Sequence, residues 1–81
     1  MSATESSRHP ATENLSRWLT PNPNLPVRPR TVAAIFAETR DRLLDALQDG
    51  PELSAGLRHL LEAKDACVRQ SLLDTEAELR G

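Results

Sequence analysis

The sequence predicts an all-α protein: a short N-terminal helix, a proline-rich extended arm, then an antiparallel αα-hairpin that oligomerises. Three observations predict it. Apolar residues recur at i, i+3, i+4 and i+7 in two long segments, and no segment reads as a strand. Five of the six prolines fall before residue 30, where they deny the chain helix and sheet donors. The segment from Leu53 to Leu79 carries apolar residues on two faces of one helix. Leu57, Leu60, Ala63 and Cys67 form one stripe. Leu61, Val68 and Leu72 form a second, with Lys64 in its middle. A chain of 81 residues with one other long helix cannot cover both stripes, so a second copy of the chain is the expected cover.

The elements follow in order. Residues 1–11 are polar and small and read as a disordered tail. Residues 12–81 form a single domain, with residues 12–30 as its N-terminal arm. Thr12 is a suitable cap for a short helix over residues 13–19, in which Leu15, Trp18 and Leu19 share a face. The run from Thr20 to Pro29 holds four prolines and is expected to be stiff and extended. The first long helix spans 31–49, with Thr31 as its cap and an apolar face of Val32, Ile35, Phe36, Leu43 and Leu47. Gly50 suits a left-handed C-terminal cap, and Pro51 opens the second long helix, over 51–79. So short a connection predicts an antiparallel pair. Its expected core is Phe36, Leu43, Leu47, Leu57 and Leu60.

Composition narrows the function. The net charge of −2 argues against bulk nucleic-acid binding, DNA included. Residues 1–30 carry four bases against two acids, and the remainder six against ten. A basic arm on an acidic helical body suits a small anion better than a long one. No apolar run approaches the ~20 residues of a membrane span, and the first ten residues lack the apolar centre of a signal peptide. These features predict a soluble cytoplasmic protein. The one cysteine, Cys67, lies on an apolar stripe and reads as a buried thiol. Neither His9 nor His59 has a cysteine or carboxylate at a metal-ligand spacing that excludes chance, and no catalytic constellation or glycine-rich phosphate loop is present. The expectation is a protein that is not an enzyme and holds no cofactor or metal.

What remains is a binding constellation. Trp18 stands beside Arg17 and just ahead of Thr20 and the prolines. One reading has Trp18 staple the short helix to the long ones. The other makes its indole a platform for a planar base, with Arg28 and Arg30 to neutralise phosphates. Lys64, set within an apolar stripe, either reaches out to solvent or faces an anion at a subunit junction.

The run Leu57-Arg58-His59-Leu60-Leu61-Glu62-Ala63-Lys64-Asp65-Ala66-Cys67-Val68-Arg69 resembles the hairpin segment of the phage anti-CBASS and anti-Thoeris nucleotide sponges. Glu13-Asn14-Leu15-Ser16-Arg17-Trp18-Leu19-Thr20-Pro21 is similar to that family's N-terminal stretch, in which an arginine and an aromatic precede a turn with threonine and proline. The turn Asp49-Gly50-Pro51-Glu52 is similar to its hairpin turn. The resemblance covers residues 13–75. It implies a dimer-based homo-oligomer of up to six chains that sequesters a cyclic nucleotide immune signal in the host cytoplasm, without chemistry. It also implies ligand pockets between protomers, built from Arg17, Trp18, Thr20, Arg28, Arg30, Lys64 and Arg69. The alternative is a small oligomeric interaction module whose open apolar stripe docks a partner helix.

Overall fold

The structure, a computed structural model, describes residues 8–81. The expected disorder of residues 1–7 lies outside them. Among the described residues there are three helices and no strand: α1 (Pro10–Trp18), α2 (Val27–Ala46) and α3 (Pro51–Arg80). Among the described residues, no helix is long and apolar enough to cross a membrane.

Helix α1 starts three residues before the expected position. His9 is its N-cap, and the imidazole Nδ1 accepts a hydrogen bond from the Ala11 N–H at 3.0 Å. Pro10 fits the first turn, where the missing N–H has no intrahelical partner to lose. Pro10 and Ala11 therefore belong to a helix and not to a tail. Thr12 is not a cap; it is buried inside α1. The start of α1 is fastened to the α2–α3 connection. Arg8 Nη1 lies 2.6 Å from Asp49 Oδ1, Arg8 Nη2 donates to the Leu44 carbonyl, and the His9 N–H donates to Asp49 Oδ2 at 2.5 Å.

The residues after α1 do not form an extended arm. The Asn22 side chain accepts from the Asn24 N–H at 2.9 Å, and the Leu25 N–H reaches the Asn22 carbonyl at 3.1 Å. Asparagine bonding to its own backbone two residues on is a local alternative to polyproline geometry, and here it wins. The turn brings the chain back early, so α2 begins at Val27 and not at Thr31. Pro29 is buried in its first turn, where N–H groups have no intrahelical acceptor and a proline forfeits no bond. Thr31 is inside the helix, its hydroxyl donating to the Val27 carbonyl at 2.8 Å.

Helix α2 ends at Ala46, short of the expected residue 49, because Leu47 turns extended at φ −128°, ψ 151°. Gly50 is also extended (φ 175°, ψ 172°) and does not take the left-handed conformation expected of it. Pro51 accounts for this, since the residue before a proline is driven from helical toward extended backbone. Helix α3 follows, one residue longer than expected. Its 30 residues span about 45 Å, most of the molecule's 51 Å long axis.

Both other helices pack on α3. The core is Leu19, Leu53 and Leu57, with Leu15, Phe36, Leu43, Leu44, Leu60 and Leu61 packed around it. At the opposite end of α3, Arg28 near the start of α2 pairs with Glu78 at 2.9 Å. Of the expected core, Leu57 is fully buried and Phe36, Leu43 and Leu60 are partly so. Leu47 is 48% exposed, because it lies past the end of α2. The two stripes of α3 share the core unequally. Leu61 packs inward and Val68 is half-buried, whereas Ala63 and Cys67 are exposed. Cys67 is thus not the buried thiol expected. It lies beside Val32, Ile35 and Phe36 of α2, in an open cleft to which α1 contributes no residue.

Candidate functional site

The end of α1 sets the site. Leu19 is 0% exposed, while Trp18, its neighbour in sequence, is 62% exposed. Adjacent residues on a helix point about 100° apart, so burying Leu19 turns the indole outward. Leu19, not Trp18, is the staple that holds α1 to the long helices.

Two cations then fix the carbonyl end of α1. Lys64 Nζ donates to the Trp18 carbonyl at 2.8 Å, and its side chain is 16% exposed. Arg40 Nη1 donates to the Ser16 carbonyl at 2.9 Å and to Thr20 Oγ1 at 2.8 Å. The last carbonyls of a helix lack intrahelical partners and carry its negative dipole end, so cations are favoured there. Lys64 comes from α3 and Arg40 from α2. The three helices are therefore joined by polar bonds at the point where the indole emerges.

Beside that point lies an open cleft of about 680 Å³, within the size range of small-molecule sites. Leu25, Ala33 and Val68 supply apolar lining. Trp18, Arg17 and Thr20 come from the end of α1 and the following turn, and Asn22 from the turn itself. Lys64, Asp65 and Arg69 line the α3 side. Arg17 Nη2 donates to Asn14 Oδ1 at 2.8 Å, which holds the guanidinium along α1. Three cations against one carboxylate make the cleft electropositive on a chain of net charge −2.

Five of the seven expected site residues thus meet: Arg17, Trp18, Thr20, Lys64 and Arg69. Thr20 is committed to structure, its hydroxyl donating to the Ser16 carbonyl at 3.3 Å while accepting from Arg40. Arg28 and Arg30 are elsewhere. Because α2 starts at Val27, both sit on its first turn and not on an arm free to reach over a ligand. Arg28 pairs with Glu78, and Arg30 Nη1 donates to the Pro23 carbonyl at 3.3 Å. Sequence reasoning missed Arg40, Asn22 and Asp65. The Asn-Pro-Asn string around Asn22 was a turn signal. Arg40 and Asp65 lie among other charges on helix surfaces, and no local pattern marks them.

Away from the cleft, the Arg8 hydrogen bond and then the His9 N–H hold the Asp49 carboxyl below its ordinary range. His59 pairs with Glu62 at 3.3 Å on an exposed face of α3. Among the described residues, no three His, Cys, Asp or Glu side chains gather where they could hold a metal ion. Chemically, the cleft can stack a planar ring on the indole, neutralise negative charge with Arg17 from α1 and Lys64 and Arg69 from α3, and offer one carboxylate acceptor. No protein-family profile, curated protein or solved structure matches the chain.

Proposed function

We propose that the protein sequesters a small anionic nucleotide, in particular a cyclic one, by binding it unchanged in the Trp18 cleft. The exposed indole bracketed by Arg17, Lys64 and Arg69 carries this reading. Stacking a base on an aromatic face is worth ~1–3 kcal/mol in single-strand binders, and cations beside the ring suit phosphate. The cleft's positive charge on an acidic chain favours a compact anion over long nucleic acid. Sequestration needs affinity and release, and no reacting side chain. The resemblance of the α1 and α3 segments to the phage sponges extends the reading: the ligand is an immune signal, and the protein counters a bacterial defence from within the host cytoplasm.

Assembly belongs to the same proposal. Contacts at both ends of α2 and α3 support an antiparallel hairpin, and an open cleft between them, to which α1 contributes no residue, leaves Ile35 58% exposed beside Phe36 and Cys67. A second copy covering it would give a homo-oligomer. The same open face is the observation that favours the second reading, an interaction module with no nucleotide.

Calorimetry and thermal melting with cyclic di- and trinucleotides separate the two. A ligand at one hundred times its Kd stabilises the folded state by ~2.7 kcal/mol. Trp18→Ala is expected to abolish binding with little change in melting temperature, because the indole is exposed. Neither heat nor a melting shift with any cyclic nucleotide would leave the interaction module as the better reading.

A further inference from the structure

We infer that the cleft selects guanine over adenine, with Asp65 reading the base. The inference rests on the nucleotide reading above and names the base. The cleft is rich in donors: the guanidinium groups of Arg17 and Arg69 and the ammonium of Lys64 only donate. Asn22 adds another. Its Oδ1 already accepts from the Asn24 N–H at 2.9 Å, which turns its amide nitrogen to donate elsewhere. Among the described residues Asp65 is the one carboxylate that lines the cleft, and an ionised carboxylate only accepts.

Position links this acceptor to the backbone of the residue that carries the stacking ring. Lys64 Nζ is 2.8 Å from the Trp18 carbonyl and 3.8 Å from Asp65 Oδ1. One ammonium therefore ties the residue that stacks to the residue that accepts. At 3.8 Å the Lys64–Asp65 pair is too long for a strong hydrogen bond, and the Asp65 side chain is 52% exposed. Its oxygens remain open to a ligand at the mouth of the cleft.

The donor and acceptor pattern fits guanine. Its Watson–Crick edge presents two adjacent donors, N1–H and the N2 amino group, which match the two oxygens of one carboxylate. Its O6 and N7 accept, and a guanidinium or amide N–H donates to them. Adenine has no such pair of adjacent donors, and its N1 acceptor would face the carboxylate and be repelled.

The chain's single tryptophan reports the test directly. Quenching of Trp18 fluorescence is titrated with cyclic di-GMP and cyclic di-AMP, for the wild type and Asp65→Asn. The wild type is expected to bind cyclic di-GMP at least about ten-fold more tightly. Asp65→Asn should remove most of that preference by weakening cyclic di-GMP alone, with the melting temperature unchanged because Asp65 is exposed. Equal wild-type affinities would overturn the inference and leave the nucleotide reading standing. So would an equal loss of both ligands in the variant. No response to either nucleotide would overturn the guanine inference, and the nucleotide reading falls with it only if the wider panel of cyclic di- and trinucleotides also gives neither heat nor a melting shift.

Discussion

At the scale of single residues, Leu57 and Trp18 stand at opposite extremes although both are large and apolar. Leu57 is fully buried at the meeting of the helices. Leu57→Ala removes buried methyl groups and leaves a cavity, an expected loss of ~2–5 kcal/mol in denaturant unfolding. A loss inside the range of surface substitutions would mean that the core is elsewhere. Asp49 carries the clearest pH dependence. Its folded-state pKa lies below the ordinary 3.8 because Arg8 and the His9 N–H bind the ionised form. A carboxyl depressed in this way adds stability above its unfolded pKa and loses it as pH falls through the folded one. Melting temperature should therefore drop on acidification below 3.8. Asp49→Asn should lower it at neutral pH and flatten that acid limb. Parallel wild-type and variant curves would show that the Arg8 contact does not form in solution.

At the scale of elements, α3 contains a glycine that its structure does not require. Gly56 lies inside the helix, and a Cβ placed there meets nothing within 4 Å. Alanine restricts the unfolded chain and favours helix, so Gly56→Ala is expected to stabilise by about 1 kcal/mol. Thermal melting decides the sign. A fall in melting temperature would mean that another backbone packs against this turn, which is what an assembly through the same side of α3 would bring. Helix α1 shows the reverse economy. Its nine residues are too few to be stable alone, and it holds its place through Leu19 in the core, Lys64 and Arg40 on its carbonyl end, and Arg8 and Asp49 at its start.

At the scale of the whole molecule, the buried apolar side chains among the described residues are few and small: Leu19, Leu53, Leu57, Pro29, Ala33 and Ala37. Chains of this size are marginal without further burial. The open cleft between α2 and α3, with Ile35 58% exposed beside Phe36 and Cys67, is where a second copy would supply it. Val68, half-buried at the cleft, is a poorer probe of assembly than Ile35. Ile35→Glu is expected to lower the sedimenting mass and the melting temperature together. A wild type that sediments as a stable monomer, with Ile35→Glu unchanged from it, would remove the assembly from the proposal.

The sequence by itself determined that the described residues form helices and no strand, where α3 begins, and that Trp18, Arg17, Lys64 and Arg69 stand out as candidate binding residues. Those are local properties: helical periodicity, a proline at a first turn, and cations and an aromatic in a small chain. Tertiary structure decided the rest. It chose Leu19 over Trp18 for the core, because the two side chains point about 100° apart and the end of α1 turns only Leu19 inward. It placed Lys64 on the Trp18 carbonyl across 46 residues and Arg40 on the Ser16 carbonyl across 24, pairings that no local pattern encodes. It withdrew Arg28 and Arg30 from the site, because the Asn22 turn let α2 start at Val27 and carry both arginines into its first turn. Where the chain turns back sets which charges meet, and that depends on side-chain bonds between segments far apart in sequence.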